Sequence, residues 1–189
     1  MKTFKQILEE FSPDDMKVAN KTARSAGAVG GKAITPRHVD EVESNIGDRN
    51  RTILDFGSGP EAKHTQHLLT KGHNVTAHEF GDNQREGVHD PKALSRKYDH
   101  VFASNVLNTQ SNKEMMGKTL DQIHGAVKPG GMFTGNFPQS PRKASDIDHL
   151  HVENELKKRF HNVERVKDKG TKQAPLFHAT HPREDYQAS

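Results

Sequence analysis

The spacing of apolar residues changes near residue 50, from helical patterns to short apolar runs that alternate with helical stretches. In the segment 4–11 apolar residues recur at i, i+3, i+4 and i+7, which predicts an amphipathic helix that Ser12-Pro13 would end. Thr35-Pro36 predicts the start of a second helix, and Gly47 predicts its end. We therefore expect residues 1–49 to form a short helical N-terminal extension or cap.

A basic, glycine-containing stretch, residues 17–37, connects these two helices and contains no acidic residue. Glycine-rich sequence is flexible when it is free. Two interpretations stay open at this point. The stretch is either a solvated linker or a segment that closes over an anionic or carboxylate ligand.

Strand-like and helical segments alternate from residue 51 onward. Strands are predicted at 52–56, 74–80, 98–104, 131–137, 162–167 and 175–180. Helices are predicted at 61–71, after the capping box Ser111-Asn112-Lys113-Glu114, and at 146–160. This alternation is typical of a doubly wound α/β fold, with a mostly parallel sheet and helices on both faces, here over residues 50–189. Residues 81–97 are polar and fit neither pattern.

Ligands of such sheets bind at the carboxyl ends of the strands. Gly57 and Gly59 directly follow the first predicted strand, and glycines there allow backbone N–H groups to approach a ligand closely. Glu79 ends the next strand, roughly 20 residues further on, which is the spacing at which a carboxylate accepts hydrogen bonds from two ribose hydroxyls. An ordinary strand-to-helix turn beside a surface glutamate is the alternative.

Composition and charge narrow the function classes. The 189 residues include 28 Lys+Arg and 25 Asp+Glu, a net charge of +3, which favours a small folded core over a disordered chain. The absence of cysteine excludes disulfides, cysteine-ligated zinc and cysteine nucleophiles. No run of 18 apolar residues occurs, and the start lacks the apolar stretch of a signal peptide. We expect a cytoplasmic protein without membrane contact.

Histidine pairs and a basic segment could also bind ligands. His64/His67 and His178/His181 have the i, i+3 spacing of metal ligands, but no third ligand is indicated, so no metal site is predicted. The basic segment 157–172 is either a solvated face or a surface for a phosphate-rich partner, which leaves nucleic acid open. Nothing in the pattern indicates the oligomeric state.

Four segments together resemble class I S-adenosylmethionine-dependent methyltransferases. Residues 53–59 (ILDFGSG) resemble the first motif, and Glu79 matches the acid at the end of the second strand. Residues 98–105 look like the fourth strand, and residues 127–133 (VKPGGMF) look like the turn into the fifth. The chain looks closest to small methyltransferase-like proteins of phages and bacteria. The resemblance implies a seven-stranded sheet, with a degenerate third strand within 81–97, and S-adenosylmethionine as cofactor.

The resemblance also implies a role for each matching residue. Gly57 and Gly59 would pass under the methionine and ribose parts of the cofactor, Asp55 would orient its amino group, and Glu79 would hold the ribose hydroxyls. The remaining predicted contacts are Phe80 beside the adenine, Asp90 at its amino group, Ser58 and Ser104 in the same cofactor-binding set, and Asn105 and Asn108 as the candidate catalytic residues facing the methyl group.

The sequence departs from the family pattern after the second glycine. The third glycine is missing, and Glu61 follows Pro60 in a loop that is one residue longer. A glutamate here would repel the methionine carboxylate unless it turns away or meets a cationic group of the cofactor. The missing glycine also disfavours a nicotinamide-dependent dehydrogenase, which needs it near the pyrophosphate. A non-catalytic cofactor-binding protein on the same fold stays open.

Residues that the chain lacks limit the possible classes of methyl acceptor. Without cysteine, the chain cannot methylate cytosine C5 through a cysteine nucleophile. In the family that the chain resembles, enzymes that methylate the amino group of adenine or cytosine have prolines and an aromatic residue after strand four. Residues 105–108 (NVLN), at that place here, have neither. The expected acceptor is therefore an unidentified small molecule or a nucleic acid.

Overall fold

The computed structural model describes residues 11–25, 34–138, 146–166 and 175–188. The helices are α1 (Pro13–Ser25), α2 (Ile34–Ile46), α3 (Lys63–Thr70), α4 (Lys113–Ala126) and α5 (His149–Arg159). The strands are β1 (Thr52–Phe56), β2 (Asn74–His78), β3 (Tyr98–Ala103), β4 (Val127–Asn136), β5 (Phe160–Val166) and β6 (Leu176–Pro182).

The strands form one sheet in the order β2-β1-β3-β4-β6-β5. The first four strands are parallel, and β6 is antiparallel to both of its neighbours, β4 and β5. The strand order reverses between β1 and β3, because β2 lies on one side of β1 and all later strands lie on the other. In an open α/β sheet, ligands bind at this switch point.

Apolar layers cover both faces of the sheet, as the alternation of strands and helices predicts. On one face the larger core packs Leu120 of α4 and Leu156 of α5 against Phe133 of β4. On the other face a smaller cluster includes Val39 of α2 and Leu68 of α3. The parallel strands β1 and β3 are therefore buried along most of their length, whereas the edge strand β2 is exposed or half-buried in its first three residues.

The sheet has six strands among the described residues, and the third strand implied by the resemblance is not one of them. Residues 81–97 instead contain two short 3₁₀ turns, Gly81–Asn83 and Ala93–Ser95. The backbone N–H groups of Asn83, Gln84 and Val88 bond to carbonyls three residues earlier, so they are used within the segment. A polar segment with local turns gains little from extending the sheet.

The structure has a helix start at Ser12-Pro13 that the sequence prediction lacks. Residues 4–10 of the helix predicted over 4–11 lie outside the described residues. Ser12 and Pro13 begin α1: the Ser12 hydroxyl accepts the Asp15 N–H at 3.0 Å, and Pro13 is the first helical residue. Residues 17–25 of the stretch interpreted as a linker therefore belong to α1. Helix α2 ends at Ile46, before Gly47, whose φ is 75°.

The start of α4 is also shifted by one residue. Asn112, not Ser111, caps this helix, and its side chain accepts the Met115 N–H at 2.8 Å. The Ser111 hydroxyl is engaged elsewhere, because it donates to Asp15 of α1 at 2.6 Å. The predicted capping residue thus joins α1 to the domain.

Candidate functional site

A cavity opens at the carboxyl ends of β1, β2 and β3, beside the switch point of the sheet. It contains about 950 Å³ of empty space, including the part open to solvent. Its walls come from the turn after β1, the residues after β2 and β3, and side chains of α1 and α4. Most of the predicted site residues meet here.

The turn after β1 forms the floor of the cavity. Gly57 and Gly59 have φ values of 74° and 75°, which glycine adopts without strain. The N–H groups of Gly57 and Ser58 both donate to the His78 carbonyl at 2.9 Å, which ties the turn to the end of β2. A Cβ on Gly57 would lie 2.6 Å from Val106 Cγ2, so this position needs glycine for space as well as for conformation.

Glu79 lies directly beside this turn. One carboxylate oxygen accepts the Gly59 N–H at 2.5 Å, and the other accepts the Phe80 N–H at 2.7 Å. Burial raises the pKa of Glu79, and these two backbone hydrogen bonds act in the opposite direction. A carboxylate has about four acceptor positions, so two are left for a pair of neighbouring hydroxyls in the cavity.

Aromatic and amide side chains form the wall next to Glu79. The Phe80 ring meets Phe56 and Phe11 edge-on, with centroids 5.2 and 5.7 Å apart. Asn83 donates to Asn20 of α1 at 3.1 Å, and both line the cavity. Sequence reasoning missed α1 and Asn83. The signal for α1 was the capping box that begins at Ser12, with Asp15 in its fourth position.

Polar groups at the end of β3 face the same space. Ser58 and Ser104 line the cavity, and neither hydroxyl has a hydrogen-bond partner within the described ranges. Asn105 also lines it, with a left-handed backbone at φ 58°. The two serines are therefore available to a ligand, whereas the Asn105 amide oxygen accepts a hydrogen bond from Asn136 at 2.8 Å.

Three predicted site residues do not line the cavity. Asp55 is buried under α3, where it accepts the Thr65 hydroxyl at 2.8 Å, and burial raises its pKa to about 7. Asp90 forms an ion pair with Arg96, because the turns of residues 81–97 replace the strand that would aim it at the site. Asn108 is buried in a 3₁₀ turn, from which Thr109, not Asn108, reaches the cavity.

In the loop that lacks the third glycine, a neighbouring lysine pairs with the Glu61 carboxylate. Glu61 does not line the cavity and pairs with Lys63 at 3.0 Å. Ala62 takes the left-handed conformation, φ 44° and ψ 45°, immediately before α3, which a glycine would adopt more easily. Lys63 and His64 line the cavity, and burial lowers the pKa of His64 to about 4, so this imidazole is neutral at pH 7.

The described part of the basic segment does not present unpaired charge. Lys157 and Lys158 pair with Glu153 and Glu155 at 2.6 and 2.5 Å, and the buried Arg159 pairs with Asp121 at 2.6 Å. Within the ranges that the structure describes, no three residues of metal-ligating type come together. Over the same ranges, no helix has the length and apolar character needed to cross a membrane.

Comparisons with known proteins decide the family. A family model described as "Methyltransferase domain" matches residues 33–172, most of the chain. The chain belongs to this family. A search of curated proteins found no significant match to this methyltransferase domain.

Solved structures show the same fold. Magnesium protoporphyrin IX methyltransferase from Synechocystis, with bound S-adenosylmethionine, is 14% identical, with a TM-score of 0.58 over 90% of this chain and 98% of that one. The N-methyltransferase NodS from Bradyrhizobium japonicum, with S-adenosylhomocysteine, is 13% identical, with a TM-score of 0.60 over 88% of this chain and 100% of that one.

A third solved structure contains a methyl acceptor. It is 1,6-didemethyltoxoflavin-N1-methyltransferase from Burkholderia thailandensis, with 1,6-didemethyltoxoflavin and S-adenosylhomocysteine bound. It is 18% identical, with a TM-score of 0.58 over 92% of this chain and 87% of that one. The expected closeness to phage proteins finds no support in these matches.

Proposed function

We propose that this methyltransferase domain binds S-adenosylmethionine in the cavity and transfers its methyl group to a small-molecule acceptor. The observation that carries the proposal is the Glu79 carboxylate, which is held against Gly59 at the carboxyl ends of β1 and β2. Its two remaining acceptor positions suit the ribose diol of the cofactor. The family match and the cofactor-bound structures of similar fold support the same assignment.

The other lining residues divide between cofactor and acceptor in this proposal. Phe80 would flank the adenine, and the Ser58 and Ser104 hydroxyls would hydrogen-bond the bound cofactor. Met16 of α1 and Met115 of α4 form an apolar part of the wall, beside polar lining residues. An apolar wall favours a small organic acceptor, which is also what the Burkholderia enzyme binds.

The reaction itself is an in-line displacement at the methyl carbon. When S-adenosylmethionine is bound, the acceptor's lone pair would form a bond to that carbon while the carbon–sulfur bond breaks, S-adenosylhomocysteine would be released with the electron pair, and an acceptor that carries a proton would lose it to water. The cofactor supplies the electrophile, so the protein mainly binds, aligns and excludes water. Asn105 would contribute to alignment next to the methyl group.

Calorimetric titration with S-adenosylmethionine, S-adenosylhomocysteine and NAD tests the cofactor assignment. We expect micromolar binding of the first two and none of NAD. Glu79→Ala should weaken S-adenosylhomocysteine binding by about 1–3 kcal/mol, because charged hydrogen bonds are lost. Asp90→Ala is the matched control, since it removes a carboxylate that lies outside the cavity. Equal affinity for Glu79→Ala, Asp90→Ala and the wild type would reject the ribose assignment.

Turnover separates the enzyme from a non-catalytic cofactor-binding protein. We expect S-adenosylhomocysteine to form when S-adenosylmethionine is incubated with a panel of small organic amines, phenols and thiols. Cofactor binding without turnover on this panel or on nucleic acid would favour the non-catalytic alternative. Turnover on nucleic acid alone would replace the proposed acceptor class.

A further inference from the structure

His89 connects residues 81–97 to the glycine turn. Its Nε2 lies 2.9 Å from the Gly59 carbonyl oxygen, and its Nδ1 lies 2.8 Å from the Arg85 backbone nitrogen. The side chain is buried, although it belongs to a segment of surface turns. It is not one of the lining residues of the cavity and matches no motif in the sequence.

The two contacts determine the tautomer of His89. A carbonyl oxygen only accepts, so Nε2 must carry the proton and donate to Gly59. A backbone N–H only donates, so Nδ1 must be the unprotonated acceptor of Arg85. The hydrogen bonds therefore give His89 a defined tautomer and orientation, and its two nitrogens bond to two separate segments of the chain, at Gly59 and at Arg85.

The Gly59 residue is consequently held from both sides. Its N–H donates to Glu79 at 2.5 Å, and its carbonyl accepts from His89 at 2.9 Å and from the Ala62 N–H at 3.1 Å. Gly59 has a φ of 75°, in a region that glycine enters and leaves at little cost, so its peptide planes need external support.

We propose that His89 is a positioning residue of the cofactor site. It fixes the orientation of Gly59, so that the Gly59 N–H points at Glu79 and the carboxylate presents its free acceptor positions to the ribose. The inference rests on the proposed function, because it concerns the same site. In this proposal residues 81–97 contribute to the site because the His89 side chain supports the glycine turn.

Two substitutions of His89 test the contacts of its two nitrogens separately. A glutamine amide nitrogen reaches about as far from the backbone as imidazole Nε2, so His89→Gln keeps a donor for Gly59 and loses the acceptor for Arg85. An asparagine oxygen reaches about as far as Nδ1, so His89→Asn keeps the Arg85 contact and loses the Gly59 contact. Both variants remove an aromatic ring from the same buried position, and since asparagine is one methylene group shorter than glutamine, their melting temperatures report the difference in packing.

The readouts are calorimetric affinity for S-adenosylhomocysteine, thermal unfolding, and hydrogen exchange of the Gly59 amide without ligand. We expect His89→Gln to bind within about threefold of the wild type and His89→Asn to bind at least tenfold more weakly, at similar melting temperatures. The Gly59 amide should exchange at least tenfold faster in His89→Asn than in His89→Gln.

The opposing outcomes are distinct. Equal affinities and equal Gly59 exchange in the two variants would overturn the proposal and leave His89 a packing residue. Affinity losses that follow the melting temperature in both variants would also overturn it. If the wild type binds no S-adenosylhomocysteine, the proposed function fails, and the exchange of Gly59 without ligand then decides by itself whether His89 orients this peptide.

Discussion

Asn105 and Asn136 exchange two hydrogen bonds where β3 and β4 end. The Asn136 side-chain oxygen accepts the Asn105 backbone N–H at 2.6 Å, and its amide nitrogen donates to the Asn105 side-chain oxygen at 2.8 Å. Asn105 lines the cavity in the left-handed conformation, which asparagine tolerates better than most residues. The pair therefore holds a candidate catalytic side chain in an uncommon backbone geometry.

A double-mutant cycle measures this coupling. Asn136→Ala should lower the free energy of unfolding by about 1–3 kcal/mol, since it leaves a buried donor and acceptor unpaired. In the Asn105→Ala background the same substitution should cost at least ~0.5 kcal/mol less, because one of the two hydrogen bonds is already gone. Urea unfolding of the four proteins provides the values, and strict additivity would mean that the side chains do not interact.

A side chain at position 57 would clash with Val106, and a second substitution at Val106 should relieve that clash. Gly57→Ala puts a methyl group 2.6 Å from Val106 Cγ2 and forces alanine to a φ of 74°. We expect a loss of about 2–4 kcal/mol of stability from strain and overpacking together. Urea unfolding, with circular dichroism as the signal, measures this loss.

Val106→Ala serves as the second site for that experiment. It removes the atom that clashes but leaves the backbone conformation unchanged. In this background Gly57→Ala should cost only the left-handed strain, about 1–2 kcal/mol. If Gly57→Ala lowers the free energy of unfolding equally in the wild-type and Val106→Ala backgrounds, lack of space is not the reason that this position needs glycine.

Sequence reasoning succeeded where the signal is local and failed where it depends on packing. The turn at Gly57 and Gly59 and the acid at Glu79 follow apolar runs that are easily recognised, and the strand order brings them together. Asp90 has a plausible position in sequence, yet it turns to Arg96 because its segment forms no strand. Partners such as Asn105 and Asn136 are far apart along the chain, and no spacing rule connects them.

The start of α1 was a different kind of failure. Ser12-Pro13 carries both a helix stop and a helix start, because proline ends a preceding helix and fits the first turn of the next. Asp15, three residues after Ser12, favours the start. The Ser12 hydroxyl donates to the Asp15 carboxylate and accepts the Asp15 backbone N–H. The helix stop alone gives no sign of α1, which forms one wall of the cavity.

The attachment of α1 to the domain is expected to limit access to the cavity. The Asp15 carboxylate accepts hydrogen bonds from Ser111 at 2.6 Å and from Ser12 at 2.9 Å, which lower its pKa. Asp15→Ala should therefore speed hydrogen exchange in α1 about tenfold, as expected for the loss of the side-chain hydrogen bonds from Ser12 and Ser111, about 1–2 kcal/mol together. Exchange measured by mass spectrometry on peptides covering residues 13–25 tests this.

Asp14→Ala is the matched control for that measurement. It removes the same charge from the same helical turn, but the Asp14 side chain is 93% exposed and lies 3.8 Å from the Lys17 ammonium group. We expect its exchange to stay within about twofold of the wild type, because exposed ion pairs contribute little. Similar exchange in both variants would show that charge at the helix start, rather than the contact with Ser111, holds α1.

His78 makes the stability of the fold depend on pH. Its ring lies against Phe56 and Phe80, with centroids 5.6 and 4.5 Å away, and neither ring nitrogen bonds to a group in the described part of the chain. Burial lowers its pKa to about 4. The unfolded chain takes up this proton near pH 6.5, so between pH 6.5 and 4 the unfolded state binds more protons and the native state loses stability.

His78→Phe should remove this part of the acid sensitivity. A phenyl ring fits the same aromatic surroundings without a group that needs a proton or a partner. On going from pH 7 to pH 5 the variant should lose about 2 kcal/mol less unfolding free energy than the wild type, from the proton linkage of one imidazole. Parallel pH profiles of the wild type and His78→Phe in urea unfolding would mean that His78 is protonated in the native state as easily as in the unfolded chain.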